Sequence, residues 1–489
     1  MKLLLIYPQI DEAISFNIAK KVLGIKSSAI PLALPTLAAL TPEGIDVNVI
    51  DENLEAIDFD DNIDLVGISY NTPNSRRAYA IAEEFKKRNV TVVMGGIHAS
   101  MMPEEALGHC DAVVVGEAEN VWCSLLDDFK EDSLKPFYSP GEFIDLKTSP
   151  VPRWGLVKTR KYFYVPLQTS RGCPFDCEHC LDTKYYGRRI RHKPVEAVIQ
   201  EIDIIHNYER MRPIMFADYN FLHNKSYAEQ ITTHLAKLNV RNWMIFGTIG
   251  IAGDDEILEL LAKGGCSVIN VGIESVSQES LDILGRKNYK ARELKKLIEK
   301  TRSYGIDVYP GFMFGSDADK ATIFEETVDF INETNILFPQ INILQPYPGT
   351  KLYDRLKDEN RLLYGEQWER YKRHDVSFKP KLMSAEQLKE GYNWTIKQLF
   401  SYPSIFARLS NLLRQGFYTR ENFENQMPNL FVKGLSVAIP KVMPFFAHDY
   451  DLKEFLRKCS QSRFKPSLHI ILVTKDYHDS YMKTLGMSF

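Results

Sequence analysis

Three of the seven cysteines of this 489-residue chain lie within one short stretch, RGCPFDCEHC (171–180). They are Cys173, Cys177 and Cys180, and the other four are scattered. Thiolates are soft ligands that select zinc, copper(I) or iron–sulfur clusters. A structural zinc takes four protein ligands, for which His179 is the candidate, whereas a [4Fe–4S] cube held by three cysteines keeps one iron open. The spacing favours the cube, and a zinc-binding or fortuitous cluster is the alternative.

The cysteines directly follow the first strand of a repeated βα pattern. Between residues 161 and 350, six β-rich runs alternate with helical patterns, which predicts an incomplete (β/α)6 barrel of the TIM type. The predicted strands are YVPLQTS (164–170), PIMFAD (213–218), WMIFGT (243–248), SVINVGIE (267–274), DVYPGFMFG (307–315) and QINILQP (340–346). In such barrels the loops after the strands carry the chemistry, and the cysteines lie in such a loop.

Residues 1–130 predict a separate α/β domain, a doubly wound parallel sheet. Its predicted strands are KLLLIYP (2–8), DVNVID (46–51), DLVGISY (64–70), TVVMGG (91–96) and DAVVVG (111–116). They are almost continuously apolar, as strands buried on both faces should be. The proline-rich residues 131–160 are expected to be a linker. Residues 351–489 are expected to be a mostly helical C-terminal extension, with one helix starting at a capping-box pair, Ser384 and Gln387.

The overall composition limits the possible partners and compartments. The net charge of −4 gives no basic field for nucleic acid. Scattered cysteines do not make a disulfide framework, which indicates a reducing cytoplasm. No run approaches about 20 uninterrupted apolar residues, so no transmembrane segment is expected. The apolar stretch 429–446, broken by prolines and lysines, leaves two interpretations open: a helical cap on the barrel, or contact with a hydrophobic substrate or a membrane surface.

The cysteine loop after the first barrel strand resembles the signature of radical S-adenosylmethionine (radical SAM) enzymes. The resemblance implies that the three catalytic cysteines hold a [4Fe–4S] cluster whose open iron binds SAM, and that one electron cleaves SAM to a 5′-deoxyadenosyl radical. VGIES (271–275) resembles the family's Gly-x-Glu segment, and GFMFGSDAD (311–319) resembles the segment that lies against adenine. The implied SAM contacts are Phe175, His179, Gly272, Glu274, Ser275, Gly311 and Gly315. His179 departs from the family, which usually has an aromatic residue there. A solvated strand end and tight turns are the alternatives for the glutamate and the glycines.

A doubly wound sheet before such a barrel is similar to the cobalamin-binding subfamily. The similar stretches are PLALPTLAAL (31–40), GISYNT (67–72), GGIHAS (95–100) and VVVGEAE (113–119). The implied cobalamin contacts are Ser69, Gly95, Gly96, Gly116 and Glu117. The stretch YPQIDEAISF (7–16) lacks the cobalt-ligating histidine of many cobalamin domains, as in many members of the radical subfamily. A domain that binds no cobalamin is the alternative, and His98 is interpreted as a loop or packing histidine.

The resemblance implies a cobalamin-dependent methyltransferase that acts on an unactivated carbon of a hydrophobic or secondary-metabolite substrate, such as a lipid, terpenoid or tetrapyrrole. It also implies a flavodoxin or ferredoxin as electron donor. One alternative is a cobalamin-associated rearrangement, cyclisation or oxidation without methyl transfer, and another is a non-catalytic iron–sulfur sensor or scaffold. Asp218 and Tyr219, after the second barrel strand, are predicted to contact substrate or SAM; a helix N-cap at Asp218 or Asn220 is the alternative.

Overall fold

The computed structural model describes residues 1–10, 24–208, 212–287, 289–419, 450–463 and 466–486. The stretch 429–446 and residues 11–16 of YPQIDEAISF therefore lie outside the described residues. The described chain divides into two compact units. The first contains the N-terminal strand, Ser27–Phe221 and Leu344–Lys379, and the second contains Leu222–Ile343 and the described residues from Pro380 onward.

The fold is of the α/β class, with two sheets and a helical C-terminal region. The strands are β1 (Lys2–Tyr7), β2 (Ser27–Ala29), β3 (Asp46–Asp51), β4 (Leu65–Ser69), β5 (Thr91–Gly95), β6 (Ala112–Val114), β7 (Phe137–Tyr138), β8 (Tyr162–Leu167), β9 (Ser170–Arg171), β10 (Arg191–His192), β11 (Ile214–Phe216), β12 (Trp243–Gly247), β13 (Cys266–Glu274), β14 (Asp307–Phe314) and β15 (Gln340–Ile343). The α-helices are α1 (Ala33–Leu40), α2 (Ser75–Lys86), α3 (Ile97–Met101), α4 (Pro103–Leu107), α5 (Trp122–Lys130), α6 (Asp182–Tyr186), α7 (Val195–Tyr208), α8 (Lys225–Lys237), α9 (Asp255–Gly264), α10 (Gln278–Ile283), α11 (Leu294–Ser303), α12 (Ile323–Glu333), α13 (Lys351–Asp358), α14 (Ala385–Phe400), α15 (Tyr402–Arg414), α16 (Tyr450–Gln461) and α17 (Leu468–Thr484).

The first sheet is parallel, with the strand order β3-β1-β4-β5-β6-β7, and it contains all five strands predicted for this region. Alternate residues of one strand enter opposite cores: Ile6 packs in the cluster around Phe85 of α2, whereas Leu5 packs in the cluster around Trp122 of α5. Because side chains alternate between the faces of a strand and both faces are covered, the strands read as continuous apolar runs. The sixth strand, β7, lies within the expected linker; its two residues are too few to give a periodic signal.

Seven further parallel strands, three in the first unit and four in the second, match the incomplete barrel that the sequence predicts. In the first unit the order is β11-β8-β2, and in the second unit it is β15-β14-β13-β12. All six predicted strands are present. The seventh, β2, comes from the N-terminal region and pairs with β8 through Ser27 and Tyr162, a long-range pairing for which three residues of sequence give no signal.

Helices α15, α16 and α17 of the C-terminal extension pack around an apolar cluster that includes Leu409 and Leu456. The Ser384 capping box is confirmed, with Gln387 N donating to the serine Oγ at 3.1 Å. Tyr418 donates to the Asp307 carboxylate, and Ile341 N donates to the Tyr481 hydroxyl at 3.1 Å. These contacts lie at the N-terminal ends of β14 and β15, so this part of the extension covers the ends of the two strands opposite to the loops that carry chemistry in barrels. No helix in the described ranges is both long and apolar enough to cross a bilayer.

Candidate functional site

The three cysteines lie on a loop that an antiparallel strand pair closes. We refer to residues 172–187 as the cluster loop. At its base, Ser170 and Arg171 of β9 pair with His192 and Arg191 of β10. All seven cysteines are in the described part of the chain, and none forms a disulfide.

Backbone hydrogen bonds set the shape of the cluster loop. Cys173 N donates to Gly187 O at 3.1 Å, and Cys180 N donates to Cys177 O at 3.1 Å. The Cys177 side chain is buried, whereas Cys173, Phe175, His179 and Cys180 are partly exposed. A ligand therefore has access to a loop whose backbone is already held in place.

The thiols of the cluster loop fit the chemistry of an iron–sulfur cube. The described residues include no group of three or more His, Cys, Asp or Glu side chains gathered around one ion position. A cube does not need one, because each cysteine binds a different iron. Cys180 Sγ donates to Asp182 Oδ2 at 3.2 Å, and burial, with the Asp182 charge second, raises the pKa of the Cys180 thiol. Since thiols bind metals as thiolates, a cluster held by Cys180 would require the loss of the proton that this thiol donates to Asp182.

Asp218 holds the entry to the cluster loop. Its carboxylate accepts from Thr169 N (3.1 Å), Thr169 Oγ1 (2.9 Å), Ser170 Oγ (2.6 Å) and Ser170 N. Burial raises the pKa of Asp218, and these hydrogen bonds act in the opposite direction. The chain itself uses the acceptor positions of this carboxylate, so the geometry gives Asp218 a positioning role. The next α-helix, α8, is capped by Asn224.

Tyr219 packs on the helix that follows the last cysteine of the cluster loop. Its ring centroid lies 5.7 Å from that of Tyr186 in α6. Its hydroxyl donates a hydrogen bond to the Asp182 carboxyl. Burial raises the pKa of Asp182 above its ordinary value, although the hydrogen bonds from Cys180 and Tyr219 act in the opposite direction. Asp218 and Tyr219 thus lie on the two sides of the cluster loop, one at its start and one behind Cys180.

An ion-pair network joins the cluster loop to the end of β6. Glu117 Oε1 lies 2.9 Å from Arg171 Nη1, and Glu117 Oε2 lies 2.9 Å from Arg191 Nη1. Glu119 adds a second carboxylate, 2.6 Å from Arg171. In addition, Gly116 O accepts from the Tyr185 hydroxyl at 3.0 Å. The end of β6 in the first sheet is therefore in direct contact with the base of the cluster loop.

The other residues implied for cobalamin meet at the carboxyl ends of β4 and β5. Ser69 and Gly95 are paired in the two strands. Gly96 follows with a φ of +96°, and a Cβ there would lie 2.6 Å from Tyr70 O, so only glycine fits. The structure thus brings Ser69, Gly95 and Gly96 together at the edge where doubly wound sheets bind their ligands.

His98 is fully buried between protein groups. Its Nδ1 lies 3.0 Å from Thr72 Oγ1, and its Nε2 lies 3.7 Å from Glu105 Oε1. The ring makes an edge-to-face contact with Trp368, at a centroid distance of 5.3 Å. Both ring nitrogens face the protein, as expected for a packing histidine.

In the second unit, Glu274 ends β13 in a strained conformation. Its φ is +73°, and the register with β14 shifts between Gly272 and Glu274. A left-handed residue after a bulge re-aims its side chain and is typical of functional sites. The Glu274 carboxylate accepts from Arg286 Nη2 at 2.6 Å. A Cβ on Gly272 would lie 2.2 Å from Glu274 Oε1, so the glycine of this Gly-x-Glu segment makes room for the carboxylate.

The segment after β14 is fixed by a buried carboxylate. Asp319 Oδ2 accepts from Gly315 N at 2.8 Å and from Ser316 N at 3.0 Å, and Oδ1 accepts from Ser280 Oγ at 2.5 Å. Burial raises the pKa of Asp319, against these hydrogen bonds. Ser275 Oγ accepts from Ser277 N at 3.2 Å, at the start of α10.

Gly311 is paired with Gly272 across β13 and β14. A Cβ on Gly311 would come no closer than 4.0 Å to Val271 O, the only neighbouring atom within that distance among the described residues. Space therefore lies beside this strand where the sequence predicts SAM.

Sequence reasoning missed the partners that orient these groups. They are Arg171, Arg191, Glu119, Arg286 and Asp319. Arg171 stands two positions before Cys173 and Glu119 follows β6, and these positions are their signals, whereas Arg191 has none. Arg286, twelve positions beyond Glu274, carries no such signal.

Three family matches cover much of the chain. Residues 167–331 match the Radical SAM superfamily, residues 22–126 match the B12 binding domain, and residues 350–462 match a domain of unknown function (DUF4070).

Individual proteins are similar over most of their length. The chain is 32% identical to bacteriochlorophyllide d C-8(2)-methyltransferase of Chlorobaculum tepidum, over 74% of this chain and 85% of that protein. It is 29% identical to hopanoid C-2 methylase of Rhodopseudomonas palustris, over 69% of this chain and 66% of that protein. Among solved structures, the cobalamin-dependent SAM radical enzyme OxsB with aqua-cobalamin bound has the same fold, with a TM-score of 0.63 at 14% identity, over 99% of this chain and 80% of that one.

Proposed function

Since the chain belongs to the radical SAM superfamily, in the group whose members carry a B12-binding domain, we propose that it methylates an unactivated carbon of a large apolar ring system. Its cofactors are a [4Fe–4S] cluster, SAM and cobalamin, as the sequence predicts, and it is an enzyme of cobalamin-dependent radical methylation. When bound, these groups supply a 5′-deoxyadenosyl radical that removes a hydrogen atom and a cobalamin-borne methyl group that replaces it.

The Glu117–Arg171 ion pair is the observation that carries the proposal. Glu117 follows β6 of the B12-binding sheet, and Arg171 stands two positions before Cys173. The pair places the end of a strand in the cobalamin-binding sheet against the base of the cluster loop. A methyl group and a radical must reach the same substrate carbon, and adjacent holding elements suit that requirement.

The substrate class is inferred from the relatives. One relative acts on a bacteriochlorophyllide and another on a hopanoid, and both are large, apolar, polycyclic molecules. A tetrapyrrole is the first choice because the 32% identical relative covers 74% of this chain.

The residue roles follow from the site geometry and from the family pattern. Cys173, Cys177 and Cys180 hold the cluster, with Phe175 and His179 beside it. Glu274, kept in place by Arg286, accepts hydrogen bonds from the SAM ammonium group, which is a charge-assisted contact. The SAM contacts are completed by Ser275, Gly272, Gly311 and Gly315. The cobalamin contacts are Ser69, Gly95, Gly96 and Gly116.

For three of the residues predicted to touch a ligand, Glu117, Asp218 and Tyr219, we propose a positioning role instead. Glu117 and Asp218 use their carboxylates on Arg171, Arg191, Thr169 and Ser170, so we assign them to positioning the cluster loop. Tyr219 supports α6 in the same way. The electron donor is a flavodoxin or ferredoxin.

Product analysis tests this function. Anaerobically reconstituted protein with cobalamin, a reductant and SAM carrying a trideuteromethyl group is incubated with bacteriochlorophyllide d or with a hopanoid. We expect 5′-deoxyadenosine, S-adenosylhomocysteine and a trideuteromethylated ring product, and none of these from the triple Cys→Ala variant. 5′-Deoxyadenosine without S-adenosylhomocysteine would favour rearrangement, cyclisation or oxidation, and neither product would favour a sensor. A flavodoxin or ferredoxin replacing the chemical reductant tests the donor.

A further inference from the structure

One segment after the barrel contacts both the cluster loop and the B12-binding domain. We refer to Leu344–Lys379 as the bridge segment; it lies in the first compact unit, together with both of its partners. Its helix α13 starts after Thr350, whose side chain accepts from Tyr353 N.

The first turn of α13 holds the part of the cluster loop between two cysteines. Leu352 N donates to Glu178 O at 3.0 Å. This N–H belongs to the first turn of a helix, where backbone donors have no acceptor within the helix, so Glu178 supplies the missing partner. The bond fixes the backbone one residue after Cys177.

The side chains of α13 repeat this contact. Arg355 donates to both oxygens of the Glu178 carboxylate, through Nε to Oε1 and through Nη2 to Oε2 at 3.2 Å. Lys351 Nζ lies 2.6 Å from Asp176 Oδ2, one residue before Cys177. A two-pronged arginine–carboxylate pair fixes orientation as well as distance, so α13 holds both sides of Cys177.

The other end of the bridge segment is anchored on the B12-binding domain. Trp368 Nε1 donates to the Glu105 carboxylate at 2.9 Å, and Arg76 Nη1 lies 3.2 Å from Glu369 Oε1. Where the segment turns at Gly349, a Cβ would lie 2.3 Å from Met101 Sδ, so the backbone is in close contact with α3.

We propose that Arg355 and Glu178 are positioning residues that set both the retention and the reduction potential of the cluster. The proposal rests on the proposed function, in which Cys173, Cys177 and Cys180 hold a [4Fe–4S] cube. The potential of such a cluster depends on net charge and hydrogen bonding around its sulfurs. Arg355 and Glu178 place one positive and one negative charge beside Cys177, and together they are neutral.

Removing each of the two charges should shift the reduction potential of the cluster in opposite directions. Reduction adds a negative charge to the cluster. Arg355→Gln leaves the Glu178 carboxylate unpaired, which disfavours the reduced form and lowers the reduction potential. Glu178→Gln removes a negative charge beside Cys177 and leaves Glu359 as a carboxylate partner of Arg355 farther along α13, so it raises the potential. The double variant restores neutrality, and its potential returns toward that of the wild type.

Both single variants are expected to loosen the cluster loop, so its amide hydrogen exchange changes in the same direction in both. In cofactor-free full-length protein, amide hydrogen exchange in residues 176–180 rises about tenfold, equivalent to about 1.4 kcal/mol. In reconstituted protein, an iron chelator removes the cluster faster. Arg76→Gln and Glu369→Gln are the matched controls, because they remove the same charges at the other end of the bridge segment; they leave both readouts unchanged.

The experiment is an anaerobic redox titration followed by electron paramagnetic resonance, together with hydrogen exchange on the cofactor-free chain. Potential shifts of opposite sign with a parallel rise in exchange support the proposal. Shifts of the same sign in both single variants, or shifts no larger than those of the controls, overturn it. A wild-type protein that reconstitutes no cube would instead overturn the proposed function, and hydrogen exchange would still report whether α13 holds the loop.

Discussion

Arg171 Nη1 lies 2.9 Å from Glu117 Oε1, and the two side chains are only 11% and 1% exposed. Arg191 binds the other oxygen of the same carboxylate at 2.9 Å. One glutamate thus bridges the arginines of β9 and β10, the strands that close the cluster loop, and Glu119 supplies the second negative charge. Breaking a buried pair leaves an uncompensated charge and costs about 3–5 kcal/mol.

We expect Glu117→Gln to lower the free energy of unfolding of the cofactor-free protein by about 3 kcal/mol, because Glu119 still neutralises part of the charge. Urea titration followed by far-UV circular dichroism measures it. The control is Lys225→Gln, which breaks a largely exposed pair with Asp254 and should cost no more than about 0.5 kcal/mol. Equal losses in the two variants would show that the Glu117 network is no more than a surface ion pair.

Gly272→Ala should weaken SAM binding without unfolding the protein. The new Cβ would lie 2.2 Å from Glu274 Oε1 and 2.9 Å from Arg286 Nη2, so the carboxylate must leave its position. Losing a charge-assisted contact of roughly 2 kcal/mol weakens SAM affinity by at least about tenfold. Equilibrium dialysis with reconstituted protein measures this, and Gly253→Ala is the control, since its Cβ meets no atom of the described chain within 4 Å. Undiminished SAM affinity in Gly272→Ala would contradict the role of Glu274.

Gly311→Ala should change the affinity for SAM without changing the stability of the protein. Within the described residues a Cβ at this position meets only Val271 O, at 4.0 Å, so the free energy of unfolding should change by less than about 0.5 kcal/mol. If adenine lies against this strand, SAM affinity should nevertheless fall by several-fold. Thermal unfolding of the cofactor-free protein and SAM dialysis of the reconstituted protein give the two values. Unchanged affinity would place the adenine elsewhere.

Most strands of both sheets and the cysteine loop can be predicted from the sequence because their signals are local. Apolar runs such as KLLLIY predict a strand buried on both faces, and three cysteines in eight positions stand out against four in the rest of the chain. Short pairings are different: Ser27–Ala29 and Phe137–Tyr138 join their sheets through partners far along the chain, and neither has a periodic pattern of its own.

The candidate site shows the same division. Glu274 could be found because a Gly-x-Glu segment ends a strand, but its partner Arg286 depends on how the chain returns after α10. Likewise Asp218 could be singled out after its strand, but its role could not, because its four donors belong to Thr169 and Ser170, almost fifty residues earlier. The hydrogen-bond partners of a buried polar residue can be identified only in the folded structure, where they lie within hydrogen-bond distance.

Trp368 makes the stability of the first unit depend on pH through Glu105. Burial raises the pKa of this carboxyl, but the nearby His98 ring and hydrogen bonds from Trp368 and Tyr79 prevail and lower it below its ordinary value of 4.5. A carboxyl whose pKa is depressed by folding stabilises the protein above its unfolded pKa, and this contribution is lost as the pH falls through the folded value.

Trp368→Phe removes the indole donor at 2.9 Å and keeps most of the packing. We expect it to cost about 2 kcal/mol at about pH 7, where the acceptor is charged, and clearly less at an acidic pH below the folded pKa of Glu105, where the carboxyl is protonated. Urea titrations of the cofactor-free chain at the two pH values give the difference. The matched control is Trp154→Phe in the same unit, because the described residues offer the buried indole nitrogen of Trp154 no acceptor. The stability lost in Trp154→Phe should come from packing alone and stay constant with pH. If the stability lost in Trp368→Phe is also independent of pH, the hydrogen bond to Glu105 is not its cause.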